Sequence, residues 1–277
     1  MIENILGHEN EINILSNIIS SKKVSHSYLF CGPSGIGKLM MAKEFAKLIL
    51  NVNNLNSCPD YIYICKKEDK KNIVVEQIRE SIVDTIFITP ATGDMKVYII
   101  DGAESLNDAS QNALLKTLEE PPKHAVIILI AASSANILPT VISRVYTVNF
   151  NKLDGKIIEK YINQNFDVQL DNNIIEFIDG SIGFATEIIN EKLIDELNKI
   201  TDLYSNIVTK NIVKCMKESE KIDFNKKYIL DYLQHVFFSK DKYLCTEIVE
   251  KAKERLKYNG NYDIVIDNMI LKCIENI

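Results

Sequence analysis

Residues 27–39 read Ser27-Tyr28-Leu29-Phe30-Cys31-Gly32-Pro33-Ser34-Gly35-Ile36-Gly37-Lys38-Leu39. An apolar run short enough for a buried strand leads into three closely spaced glycines, and Met40 to Leu50 follows with the composition of a helix. Strand, GxxxxGK, helix is the layout of a phosphate-binding loop. In such a loop successive backbone N–H groups turn inward around anionic oxygens, glycine permits the close approach, and the helix N-terminus adds a positive dipole. Gly32, Gly35, Gly37 and Lys38 are therefore candidate nucleotide-binding residues, with Lys38 reaching for the outer phosphates. The position after the lysine ordinarily holds Ser or Thr, whose hydroxyl ligates Mg²⁺. Here it is Leu39, which has no oxygen to offer.

Outward from this loop the first half alternates strand and helix. Ile12, Leu15, Ile18 and Ile19 have helical spacing before the loop. Tyr61–Ile64, Val97–Ile100 and Val126–Ile130 read as further strands, and Ile73 to about Ile88 as a helix with Val75, Ile78, Ile82 and Ile86 on one face. Asn107 to Glu120 is a helix stopped by Pro121-Pro122, since proline lacks the N–H and clashes with the preceding turn. Strands this apolar are covered on both faces, which predicts a parallel sheet flanked by helices. All six prolines lie before residue 140, and from Asp154 onward the pattern is helical, broken mainly at Gly180–Gly183 and Gly260.

Two further positions carry chemistry. Asp101 ends the Val97–Ile100 strand, where a second acidic motif holds Mg²⁺ in P-loop ATPases. A glutamate often follows it to orient the attacking water; here Gly102 stands in that place, with Glu104 expected on the far side of the turn. Ser143-Arg144 follows Leu138-Pro139-Thr140, and only three arginines occur in the chain, Arg79, Arg144 and Arg255. An arginine projecting from the edge opposite its own loop would stabilise transition-state charge on a neighbour's phosphate, or else serve as a surface ion pair.

Composition narrows the rest. The net charge of −6 excludes a basic nucleic-acid module held by bulk electrostatics. Met1-Ile2-Glu3-Asn4 lacks the character of a signal peptide and no run spans a membrane, so a cytoplasmic protein with free thiols is expected. Cys58 and Cys65 are the nearest cysteine pair, and two ligands make no structural zinc site, so no metal is expected. The lysine-rich stretches Lys66–Lys71 and Lys251–Lys257 read as solvated faces that could touch phosphate, and Ile229, Leu233, Val236 and Phe237 as an apolar helix face, buried either internally or against partner helices. His235, beside that face, reads as a packed or solvated histidine rather than a ligand.

The ordered set Ser25–Phe30, the glycine loop, Gln77-Ile78-Arg79-Glu80, Lys96–Asp101, Gln111-Asn112-Ala113-Leu114-Leu115-Lys116-Thr117-Leu118-Glu119-Glu120-Pro121-Pro122 and Leu138–Arg144 closely resembles the bacterial DNA polymerase III clamp-loader subunits, which are AAA+ ATPases. The resemblance is strong over residues 1–150 and weak over 150–190. It implies an α/β AAA+ P-loop domain (1–152), a small helical lid (153–193) and an all-α C-terminal collar (194–277). Motor members (gamma/tau) of that family keep Thr after the loop lysine, Glu after the acidic Asp and an arginine in the lid. Here Leu39, Gly102 and Gly180-Ser181-Ile182-Gly183-Phe184-Ala185 stand instead, while Ser143-Arg144 is retained with Val145 in place of the family's cysteine. This combination resembles the member that does not hydrolyse ATP but completes a neighbour's site. It implies Arg144, with Ser143, acting in trans; a degenerate site of Gly32, Gly35, Gly37, Lys38 and Asp101; ATP and Mg²⁺ not required and bound weakly if at all; and a hetero-pentamer with gamma/tau and delta subunits that reaches the sliding clamp and primer-template DNA. The alternatives are a weakly active ATPase of the motor type and a stand-alone P-loop scaffold.

Overall fold

The computed structural model describes residues 5–67, 70, 72–166, 168–258 and 260–277. The Met1–Asn4 start and part of the Lys66–Lys71 stretch lie outside the described residues. The chain divides into two compact units, one of Met1–Tyr161 with Gly180–Gly183, the other of Ile162–Asp179 with Phe184–Ile277.

The first unit is built on five parallel strands, β1 (Ser27–Cys31), β2 (Tyr61–Cys65), β3 (Lys96–Asp101), β4 (Ala125–Ala131) and β5 (Tyr146–Asn149), in the order β2-β3-β4-β1-β5. Successive side chains of a strand point to opposite faces. Leu29, Tyr98, Ile100, Ile127 and Leu129 therefore join one buried layer, and Tyr28, Phe30, Val97, Ile99, Ile128 and Ile130 the other. This is why the strands read as unbroken apolar runs rather than alternating ones. Helices α1 (Glu9–Ser20) and α2 (Lys38–Leu50) send Leu15, Met41 and Phe45 into the second layer. Helices α3 (Val75–Ile78), α4 (Asp108–Glu119) and α5 (Pro139–Ile142) cover the first with Ile78, Leu114, Leu118 and Val141. The Asn107 side chain accepts from the Ser110 amide and starts α4, and Pro139 occupies the first turn of α5, where its missing N–H costs nothing.

The expected 73–88 helix is corrected. Ile73 bridges to Leu106 outside any helix, α3 is one turn long, and Arg79–Val83 winds as a π-helix with an Asp84 N–H to Arg79 O bond of 3.0 Å. Ile78, Ile82 and Ile86 are spaced by four residues and all fully buried. Residues at this spacing share one face of a helix, so the burial of the series does not depend on the local winding. Strand β5 and helix α5 were not among the expected elements. Only Val148 of β5 is buried, so the apolar signal of a covered strand is missing.

Helix α6 (Gly155–Asn165) leaves the first unit, and α7 (Asn172–Ile178) belongs to the second. There follow α8 (Ile182–Asn190), α9 (Ile194–Val208), α10 (Ile212–Ser219), α11 (Ile229–Ser239), α12 (Tyr243–Lys257) and α13 (Tyr262–Glu275). Of the two expected settings for Ile229, Leu233, Val236 and Phe237, the unit's own core is the one found: all four are buried, with Leu197, Ile200 and Leu203 of α9 buried alongside in the same unit. His235 is packed, its ring 5.4 Å from that of Phe177 and stacked on Tyr232. Lys251–Lys257 lies on α12. Among the described residues no helix is long and apolar enough to cross a membrane, and no group of His, Cys, Asp or Glu is arranged to hold a metal ion.

Candidate functional site

The glycine loop leaves the C-terminal end of β1 and enters α2, and every loop glycine has a backbone reason to be there. Gly32 has φ 155, and a Cβ on it would sit 2.2 Å from the Phe150 carbonyl oxygen at the end of β5. Gly35 and Gly37 hold φ of 74 and 100, conformations that L side chains rarely adopt. A Cβ on Gly37 would meet nothing within 4 Å, so its backbone conformation rather than crowding is what asks for glycine there. His8 fixes the loop from behind: its Nε2 lies 2.8 Å from the Ile36 carbonyl and its ring packs edge-on against Phe150. His8 was not among the candidate residues; its only sequence signal is a histidine beside Gly7 ahead of a helix.

The Lys38 ammonium donates to the Gly32 carbonyl at 2.6 Å and to that of Pro33 at 2.5 Å. Burial pushes its pKa below the ordinary lysine value, opposed by the charges of Glu104 and then Asp101. Asp101 Oδ2 accepts from the Tyr63 hydroxyl at 2.8 Å. Tyr63 is pushed well up, by burial and then by this carboxylate. Lys38, Leu39, Asp101, Gly102 and Glu104 line one pocket of about 470 Å³ with the loop backbone. The expectation for Glu104 is corrected: it shares the pocket with Lys38, and its Oε2 is buried with no hydrogen-bond partner. The short helical turn after Gly102 brings it inward. Gly102 itself has φ 79, so a glutamate in its place would be strained.

Segment Gly180–Gly183 closes one side. The Gly183 amide donates to the Gly35 carbonyl at 2.8 Å, and Leu153 N–H to the Gly180 carbonyl at 3.2 Å. The residues present fit the phosphates of a nucleotide, through an open glycine cradle and Lys38. They do not fit a loop-bound Mg²⁺, because Leu39 presents hydrocarbon where the ligand hydroxyl belongs.

Arg144 is not brought to this pocket. The Ser27 hydroxyl, at the first residue of β1, donates to the Arg144 carbonyl at 2.7 Å, while the loop begins past the other end of that strand. The Arg144 guanidinium donates through Nη1 to Thr140 O (2.8 Å) and Ser143 Oγ (3.1 Å), and its Nη2 meets Glu119 Oε1 at 2.7 Å. So Gly32, Gly35, Gly37, Lys38 and Asp101 form one group, and Ser143 with Arg144 another, at opposite ends of β1.

A parallel sheet in this order, a phosphate loop at the end of an interior strand and a helical C-terminal part are the layout of an AAA+ type fold. The chain belongs to the family described as DNA polymerase III, delta subunit, whose model matches residues 7–154. It is 33% identical over 215 residues to the DNA polymerase III subunit tau of Bacillus subtilis, covering 69% of this chain and 37% of that one. It is 35% identical over 136 residues to the delta' subunit of Pseudomonas aeruginosa, covering 43% of this chain and 41% of that one. The first shared fold among solved structures is a gamma subunit-related protein of Thermotoga maritima, with TM-score 0.55 and 16% identity over 95% of this chain and 99% of that one. The chain spans 25% to 57% of the length of these tau and gamma relatives.

Proposed function

We propose that this chain is a delta prime type clamp-loader subunit, which does not itself hydrolyse ATP and lends Arg144 to the ATP site of an adjacent gamma/tau motor subunit. One observation carries this reading: the pocket keeps its phosphate cradle but has Leu39 and a left-handed Gly102 at the metal-ligand and water-orienting positions, while Arg144 is partly exposed at the opposite end of β1. Loss of metal ligation and of the orienting carboxylate each removes transition-state stabilisation in the chain's own site. An arginine beyond reach of that site can act on another molecule's phosphate.

In this reading residues 1–152 form the AAA+ domain, 153–193 the lid and 194–277 the collar of a hetero-pentamer with gamma/tau and delta, acting on the sliding clamp and primer-template DNA through the assembly. Nucleotide, where bound, sits on Gly32–Lys38 without a loop-bound metal. The test is ATPase activity of the isolated chain and of the chain reconstituted with motor and delta subunits, clamp and primed DNA. The isolated chain should be at background. Arg144→Ala should lower hydrolysis at the adjacent site by about 10³; a wild-type rate of hydrolysis and clamp loading would falsify the proposal.

A second reading, weak intrinsic hydrolysis of the gamma/tau type, is favoured by Glu104, which lines the pocket and has one buried carboxylate oxygen without a partner. Isolated-chain turnover that Glu104→Gln abolishes would select it.

A further inference from the structure

The Arg144 guanidinium is held before any partner arrives. Three acceptors from two helices grip it: the Thr140 carbonyl inside α5, the Ser143 hydroxyl at its C-cap, and the Glu119 carboxylate at the last residue of α4. The Ser143 hydroxyl is itself oriented, donating to the Thr140 carbonyl at 3.1 Å, and the Arg144 backbone is tied to β1 by Ser27. Of the guanidinium's donors, Nη1 and one arm of Nη2 are engaged, which leaves N–H groups for a phosphate oxygen.

Glu119 is an odd residue to end a helix. The last turn exposes carbonyl oxygens and the negative end of the macrodipole, so a carboxylate there is disfavoured. Its fold role is small as well: the pair is half open to solvent, with side-chain exposures of 34% for Arg144 and 50% for Glu119, and such pairs add little to stability. What the carboxylate does supply is restriction. A free arginine side chain samples many rotamers, and ordering it during the chemical step slows that step.

We infer that Glu119 is the positioning residue for Arg144, fixing the direction in which the guanidinium leaves α5 so that it meets a neighbour's phosphate already ordered. This rests on Arg144 acting in trans. Glu119 touches no substrate and acts only through the arginine.

The experiment compares wild type, Arg144→Ala, Glu119→Gln, Glu119→Asp and the double variant Glu119→Gln/Arg144→Ala in the loader reconstituted with motor and delta subunits, clamp and primed DNA. Thermal melts and size-exclusion establish that each variant folds and assembles. Glu119→Gln should lower kcat by about tenfold with KM for ATP unchanged, because only transition-state placement is lost. Glu119→Asp, which keeps the charge, should recover part of that loss. The double variant should be no slower than Arg144→Ala alone, the signature of two residues acting as a unit. Wild-type kcat in Glu119→Gln beside a slow Arg144→Ala overturns the positioning role and leaves the finger standing. Additive losses, or a rise in KM instead of a fall in kcat, overturn it too. A wild-type rate in Arg144→Ala overturns both.

Discussion

The amide of Gly183 donates to the carbonyl of Gly35 at 2.8 Å, so the start of α8 is hydrogen-bonded to the backbone of the phosphate loop. The Gly180–Gly183 segment, which carries no arginine, thus meets the loop main chain to main chain. A Cβ on Gly183 would lie 2.9 Å from Gly35 Cα and 3.2 Å from its carbonyl oxygen. Gly183→Ala must therefore push the two backbones apart. It is expected to destabilise the first unit by about 1–3 kcal/mol, the usual cost of forcing atoms into a packed site, read as a lowered denaturation midpoint.

Leu39 gives a prediction about metal. A fluorescent ATP analogue should bind with the same affinity in EDTA as in Mg²⁺, since the loop has no hydroxyl to hold the ion. Lys38→Ala should weaken that binding by about tenfold or more, as it removes the one lysine ammonium among the described residues that line the pocket. Binding that depends strongly on Mg²⁺ would mean that Asp101 and Glu104 hold the ion unaided.

Asp60 is a buried carboxylate whose oxygens accept from the Ala91 N–H (2.7 Å), the Thr92 N–H (2.8 Å) and the Thr92 hydroxyl (2.8 Å). Burial alone would raise its pKa, but these donors, together with Lys96, hold it below the ordinary carboxylate value. Its folded-state pKa is thus depressed. The stability it contributes is present above the unfolded value and is lost as pH falls through the folded one. Asp60→Ala should cost about 3 kcal/mol at neutral pH by leaving buried donors without an acceptor, and should flatten the acid limb of a stability-versus-pH curve.

His235 acts in a milder pH range. Desolvation lowers its pKa, opposed by Glu176 and Asp179 and assisted by Lys240, and its Nε2 is buried without a partner. Protonation is therefore harder in the folded state than in the unfolded one. Stability from this site is full above the ordinary histidine value near 6.5 and declines as pH drops below it. Denaturation midpoints measured at several pH values from 8 down to 5 should fall for the wild type, and His235→Phe should remove part of that slope. An unchanged slope would place the titration elsewhere.

Much of the first unit is legible without coordinates because its signals are local. The 27–39 stretch carries strand, loop and helix start in sequence, and Asn107 and Pro121 bracket α4 through capping and missing-donor chemistry. β5 escapes because a strand at the sheet's edge buries little; of Tyr146–Asn149 only Val148 needs to be apolar. The π turn at Arg79–Val83 escapes because Ile78, Ile82 and Ile86 at four-residue spacing share one face of an ordinary helix as well, so the apolar pattern does not report the winding. At the site, the missing groups at Leu39 and Gly102 could be read directly. The contacts that shape it could not, since His8 to Ile36, Tyr63 to Asp101 and Glu119 to Arg144 join residues far apart in the chain.

The short strand β5 is a gauge of fixed length. Just before it the Arg144 carbonyl is pinned to Ser27, and just after it the Phe150 carbonyl fills the space a Gly32 side chain would need while the Phe150 N–H donates to Cys31 at 2.7 Å. A single residue inserted or deleted between 145 and 149 would have to break one of those attachments or turn Val148 outward, since a one-residue slip reverses every side chain of a strand. The interval from arginine to glycine loop is thus one in which residue identity is free at the exposed positions but residue number is not.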